Sequence, residues 1–253
     1  MQHRPKRSLG QNFLRDRHVV GRIVSALELT ADDHVVEIGP GEGALTELLV
    51  ASGATVTAVE FDRDLAPALR TMFAKAGNLH VIEADALDIK FTTLVPPGAK
   101  LVANLPYNIS TPILQRLVEQ REVFSRLVLM FQREVVERIT AEPGGKARGF
   151  LSVIAQNAFE VERLFNVQPG AFYPVPKVWS AVIRLRPKPK TDDEYKLREV
   201  VSLAFAQKRK TLANNLKSVF ADPAAIIRSA GLPEKCRAEE LTLADWRRLV
   251  GRL

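Results

Sequence analysis

The sequence predicts an α/β fold: a mostly parallel sheet of seven strands interleaved with helices, followed by a small all-helical C-terminal domain. Three observations predict it. Short β-branched runs alternate with longer stretches of helical periodicity through most of the chain. The turn Gly39-Pro40-Gly41-Glu42-Gly43 follows the first of those runs and opens a helical stretch. After Pro187-Lys188-Pro189-Lys190-Thr191, which has two prolines and no apolar periodicity, strand signals cease.

In chain order, strands are expected near His34–Ile38, Thr55–Glu60, His80–Glu83, Leu101–Asn104, Arg126–Phe131, Val161–Val167 and Ser180–Arg186. Helical patterns fall between them at Val19–Leu27, Leu45–Ser52, Arg63–Lys75, Pro112–Gln120 and Glu134–Ala141. The segment EPGGKARG (Glu142–Gly149) reads as a mobile loop or a plain turn. Beyond the proline linker, Tyr195–Phe220, Pro223–Ala230 and Leu243–Leu253 read as helix. Two domains follow, 1–187 (with residues 1–22 as a basic lead-in) and 191–253, the second too small to be expected to fold alone.

Composition narrows the class. Hydrophobic residues at 46% and charged residues at 26% of 253 exclude disordered, collagenous and coiled-coil chains. The longest uncharged stretch, Leu101–Gln115, carries two prolines, so no membrane-spanning helix is expected. MQHRPKRSLGQNF is basic but lacks the apolar stretch of a signal peptide. A single cysteine, Cys236, offers neither an internal disulfide nor a metal cluster, which points to a reducing cytoplasm. The charge of +7 is unevenly spread: residues 1–22 carry +5, residues 188–253 another +5, and the span between −3. Two positive ends suit a polyanion such as nucleic acid, although ordinary solubility charge gives the same total.

The glycine turn lets the backbone bend sharply and approach a ligand, as in a Rossmann-like dinucleotide fold. Its G-x-G-x-G spacing is neither the nicotinamide fingerprint nor a P-loop, and an empty tight turn leaves the same pattern. Two acids sharpen the reading. Glu60 ends the second strand, 21 residues after Gly39, where a carboxylate can accept both hydroxyls of a ribose. Asp85 follows the third strand, where it can hold an adenine amine. Together with Gly39 and Gly41 they suit an adenosyl ligand without pyrophosphate, S-adenosylmethionine.

The fourth strand ends in Asn104-Leu105-Pro106-Tyr107. An exocyclic adenine amine is a poor nucleophile because its lone pair is delocalised into the ring. The Asn104 side-chain carbonyl and the Leu105 backbone carbonyl would grip its two N–H groups and stabilise the charge that develops on nitrogen. Pro106 stiffens the turn, and Tyr107 supplies a stacking face. The histidines (His3, His18, His34, His80) are scattered without metal-ligand spacing, so no metal is expected.

Asn-Leu-Pro-Tyr resembles motif IV of the amino methyltransferases. Three further segments resemble the ribosomal RNA adenine dimethyltransferases (the KsgA/RsmA family): Leu9–Leu14 (LGQNFL), Phe172–Val182 (FYPVPKVWSAV) and Phe205–Leu216 (FAQKRKTLANNL). The resemblance runs from about residue 6 to the end. It implies an S-adenosylmethionine-dependent methyltransferase fold, with Asn12, Leu14, Gly39, Glu60, Asp85 and Asn104 contacting the cofactor. It implies that Asn104, Leu105, Pro106 and Tyr107 hold the target amine and that Phe172 stacks on the adenine opposite Tyr107. It further implies dimethylation of two adjacent adenosines in the 3′-terminal hairpin of small-subunit ribosomal RNA, late in assembly of the 30S subunit.

If Tyr195–Phe220 is one helix, then Val201, Leu212, Leu216, Val219 and Phe220 share an apolar face. Lys210 and Lys217 then lie outside that face and Arg209 within it. Lys208, Arg209, Lys210 and Lys217 are the expected RNA-backbone contacts. The protein is expected to be a cytoplasmic monomer. Two rivals remain: a large-subunit ribosomal RNA methyltransferase of the antibiotic-resistance type, and a non-catalytic nucleic-acid-binding factor on the same fold.

Overall fold

The computed structural model describes residues 5–6, 10–106 and 109–253. Seven strands form one sheet: β2 (His34–Ile38), β3 (Thr55–Glu60), β4 (Leu79–Glu83), β5 (Ala99–Asn104), β6 (Phe124–Gln132), β7 (Phe159–Val167) and β9 (Ser180–Pro187). Their order is β4-β3-β2-β5-β6-β9-β7. The first five run parallel, whereas β9 lies antiparallel to β6, with Met130 opposite Val182. The strand order reverses around β2, between β3 and β5. A parallel sheet opens a crevice at such a switch point, beyond the carboxyl ends of its strands.

The central strands carry Val35, Val56, Val102 and Val128 into one core cluster. Helices α1 (Arg17–Ser25) and α2 (Ala44–Ala51) cover them with Ile23, Leu45 and Leu49. Helix α1 starts where Asp16 accepts the N–H groups of His18 (2.9 Å) and Val19 (3.1 Å), an N-cap. A two-stranded ribbon has no counterpart in the sequence expectations: β1 (Phe13–Leu14) pairs antiparallel with β8 (Phe172–Tyr173). Strands of two residues give no periodicity to read.

The chain divides into two compact units, one of residues 1–136 and 160–187, the other of residues 137–159 and 188–253. The second therefore takes in a middle segment that the sequence assigned to the first. That segment contains α6 (Phe150–Ala158), a helix missing from the sequence expectations. It packs against α7 (Glu194–Ala204) and α10 (Leu243–Val250). The expected loop Glu142–Gly149 is pinned rather than mobile, because the Arg148 side chain is fully buried. Its guanidinium donates to Ala141 O (2.7 Å), Gln156 Oε1 (3.0 Å) and Leu241 O (3.1 Å).

The single long helix expected over Tyr195–Phe220 is also corrected. Helix α7 stops at Ala204, and α8 (Leu212–Leu216) starts afresh behind the N-cap Thr211. The Asn215 side chain causes the break: its Nδ2 donates to Ala204 O (2.6 Å) and Gln207 O (3.1 Å), two carbonyls a continuous helix would use itself. The consecutive charges Lys208, Arg209 and Lys210 sit in the resulting turn, exposed. The shared apolar face therefore does not exist; Val219 is exposed and Arg209 is not inside a core.

Candidate active site

One cavity of about 170 Å³ opens at the switch point of the sheet. Its lining gathers Asn12, Leu14, Gly39, Gly41, Glu60, Asp85, Asn104, Leu105 and Pro106, residues from five places in the chain. The acids and the asparagine arrive on strand ends. Glu60 is the last residue of β3, Asn104 the last of β5, and Asp85 lies just past β4. Because the strands are parallel and in register, with Val36 opposite Thr57 and Leu101, their carboxyl ends converge on the same crevice.

The glycine turn has the backbone its sequence implies. Gly41 has φ +59°, and a Cβ there would lie 3.0 Å from the Phe13 ring. The Phe13 ring of the lead-in therefore packs directly on the turn. Glu60 is buried, and its two carboxylate oxygens accept one backbone N–H each: Oε2 from Gly41 (3.0 Å) and Oε1 from Asp62 (2.8 Å). Burial raises the Glu60 pKa, and these N–H donors oppose the rise. Asp85 accepts the Leu87 N–H (2.9 Å). Asn104 Nδ2 donates to Asn12 O (3.3 Å), joining the expected catalytic turn to the lead-in. Ile109 N donates to Pro106 O (3.2 Å).

One described residue expected at the site is not in the cavity lining, and another, Tyr107, lies outside the described residues. Phe172 is 3% exposed and packs in the core cluster beside Leu14, opposite it in the β1–β8 ribbon. It is a core side chain here, not a stacking face at the cavity, and its neighbour Tyr173 is the exposed ring, at 54%. Lys208, Arg209, Lys210 and Lys217 are all exposed in the second unit. Lys208 Nζ donates to Lys146 O (2.8 Å).

Several cavity-lining residues escaped sequence reading, Gln11, Phe61 and Glu37 among them. Gln11 sits in the lead-in, and Phe61 follows Glu60 as an exposed ring at the cavity rim. Glu37 is buried; its Oε2 accepts the Thr46 hydroxyl (2.6 Å), while Oε1 has no hydrogen-bond partner among the described residues. Burial pushes its pKa up to about 8. The available signal was its place two residues before Gly39, at the head of the turn. Among the described residues no three His, Cys, Asp or Glu side chains group as metal ligands. No helix there is long and apolar enough to cross a membrane.

Comparison with known proteins identifies the family. The ribosomal RNA adenine dimethylase family matches residues 2–253. A relative from Hahella chejuensis, a ribosomal RNA small subunit methyltransferase A, is 47% identical over 254 residues, spanning 98% of this chain and 92% of its own. Among solved structures, a dimethyladenosine transferase from Plasmodium falciparum superposes with a TM-score of 0.79 at 26% identity, covering 94% of this chain and 95% of its own. The 23S rRNA methyltransferase ErmE gives 0.74 at 30% identity, covering 96% and 99%. A family match over nearly every residue, together with a cavity built from the strand-end acids and the asparagine turn, leaves one conclusion: the chain belongs to the ribosomal RNA adenine dimethylase family.

Proposed function

We propose that this protein dimethylates N6 of two adjacent adenosines in the 3′-terminal hairpin of small-subunit ribosomal RNA. In this reading it works as a cytoplasmic monomer on the immature 30S subunit. The observation that carries the reading is the convergence of Gly41, Glu60, Asp85 and Asn104 on one cavity. The small-subunit assignment rests on the full-length similarity to small subunit methyltransferases.

The cavity fits S-adenosylmethionine, the cofactor of this methyltransferase fold. The glycine turn offers a cradle without side chains. Each Glu60 oxygen keeps a lone pair beyond the backbone N–H it accepts, so the carboxylate can take two ribose hydroxyls while its own position stays pinned. Asp85 can accept from the adenine amine. When bound, the cofactor supplies an electrophilic methyl on a sulfonium.

The chain's own residues then do three things. Asn104 Oδ1 and the Leu105 carbonyl accept the two N–H bonds of the target amine, which turns its lone pair toward the cavity and offsets the charge that grows on nitrogen. Pro106 fixes its own backbone φ next to Leu105, and alignment supplies much of the rate. Phe13 packs over Gly41 and keeps water off the glycine turn. The methylated nitrogen is acidic enough to shed its proton to solvent, so no side-chain base is required. Target adenosines must leave their stack, at a cost of a few kcal/mol.

Supplying labelled S-adenosylmethionine to immature small subunits and, separately, to large subunits tests the reading. Label at paired adenosines of small-subunit RNA is expected. Label confined to large-subunit RNA would transfer the protein to the resistance type; no label on either RNA would favour a binding factor.

A further inference from the structure

The buried carboxylate of Asp62 is used by none of the steps above. It lies two residues beyond Glu60 with its side chain at 0% exposure. Its partners come largely from the lead-in. Oδ1 accepts Lys6 Nζ at 2.5 Å and the Asp64 N–H at 3.0 Å; Oδ2 accepts Gln11 Nε2 at 2.8 Å. Lys6 also pairs with Asp64 at 2.6 Å, and its backbone N–H donates to Gln11 Oε1 at 2.7 Å. Residues 6 and 11 are thus drawn together and fastened to one carboxylate.

A carboxylate closed off from water is costly unless its charge is met. Opening the lead-in would strip Lys6 and Gln11 from Asp62 at once, and that loss holds the lead-in shut. The fastening reaches the cavity by two routes. Asp62 N–H donates to Glu60 Oε1 at 2.8 Å, so Asp62 helps to orient the acid read above as the ribose holder. Gln11 is followed by Asn12, whose carbonyl takes Asn104 Nδ2, and by Phe13, whose ring covers Gly41.

We propose that Asp62 is a positioning residue: its clasp on Lys6 and Gln11 fastens the lead-in over the cavity, retains the cofactor and sets Asn104 for the target amine. This rests on reading the cavity as the cofactor site. Burial pushes the Asp62 pKa up, but Lys6, the Asp64 N–H and Gln11 outweigh it and hold the carboxyl below its ordinary range, so the clasp is ionic at neutral pH.

The test uses the full chain and follows the release of bound S-adenosylhomocysteine, chased with excess S-adenosylmethionine, across a range of sodium chloride concentrations. Wild type should release faster as salt screens the pair. Lys6→Met should release roughly tenfold faster at low salt and lose most of the salt dependence. Lys6→Arg should restore both. Lys6 is partly exposed, so its replacement leaves the core intact even if Asp62→Asn fails to fold. Asp85→Ala is the control for the cavity. If it weakens binding while Lys6→Met releases at the wild-type rate with unchanged salt dependence, the clasp is overturned alone. If Asp85→Ala and Glu60→Ala both bind as wild type, the cavity reading fails and the clasp with it.

Discussion

The side-chain amide of Asn104 donates to the backbone carbonyl of Asn12, 3.3 Å away. A carbonyl can only accept, so the nitrogen of that amide must face the lead-in and Oδ1 is the atom turned to other partners. Asn104→Ala is therefore expected to lower kcat by roughly a hundredfold or more, with a far smaller change in cofactor affinity. Single-turnover rates set beside equilibrium binding of S-adenosylhomocysteine check this. An unchanged kcat would remove Asn104 from the chemistry.

Gly41 is held tightly by its surroundings. Its φ of +59° costs an L-residue about 1–2 kcal/mol, and a Cβ would press on the buried Phe13 ring at 3.0 Å. Gly41→Ala should push the lead-in away and weaken cofactor binding by about an order of magnitude. Calorimetric titration reads the change directly, and wild-type affinity would show that Phe13 does not matter to the cavity.

Glu37 gives stability a pH dependence opposite in sign to that of most carboxylates. Its pKa is about 8 folded against 4.5 unfolded, so folding takes up a proton between those values. The contribution is full below pH 4.5 and is lost as pH rises toward 8, because the folded state binds more protons in that window. Buried Glu60, also raised, acts in the same direction. Glu37→Gln keeps an acceptor for the Thr46 hydroxyl and removes the ionisation. Denaturant unfolding at several pH values should show the variant gaining on wild type as pH rises, and parallel curves would rule the effect out.

Arg148 should behave as a structural pin. Arg148→Met would strand the Leu241 carbonyl, leave Ala141 O to Gln156 Nε2 alone, and lower stability by about 2 kcal/mol. Lysine should rescue little, since one ammonium cannot span the three acceptors that the planar fork reaches. Thermal unfolding, with hydrogen exchange on α6, measures both variants.

For RNA docking, Lys210→Glu combined with Lys217→Glu should weaken binding to small subunits. It should also reduce the slope of log affinity against log salt by roughly one unit for each phosphate that is no longer neutralised. Wild-type affinity and slope would place the RNA elsewhere.

Most of the sheet was legible because its central strands are buried on both faces and read as β-branched runs such as His34–Ile38. The strand-end acids Glu60 and Asp85 were legible for a related reason: a charge that terminates an apolar run stands out. Phe172 and Glu37 were not. One follows a motif yet turns into the core through a two-residue ribbon, and the other looks like a strand residue until its burial is seen. The long C-terminal helix failed because Asn215 caps α7 from eleven residues away, a side-chain contact that periodicity cannot register. Helix α6 was missed because FLSVIAQNA is short, uncharged and nowhere exposed, so its few polar residues, Ser152, Gln156 and Asn157, do not mark a solvent face.

The second compact unit is assembled from two stretches of chain, residues 137–159 and 188–253, with three strands' worth of the first unit's sequence threaded between them. It is therefore not a detachable tail. A chain cut after Pro187 would leave α6 without α7 and α10, its oily sides bare to water. On the ribosome that makes it, α6 must likewise wait for the last helices to emerge. Swapping this unit between homologues would require three splice points, not one.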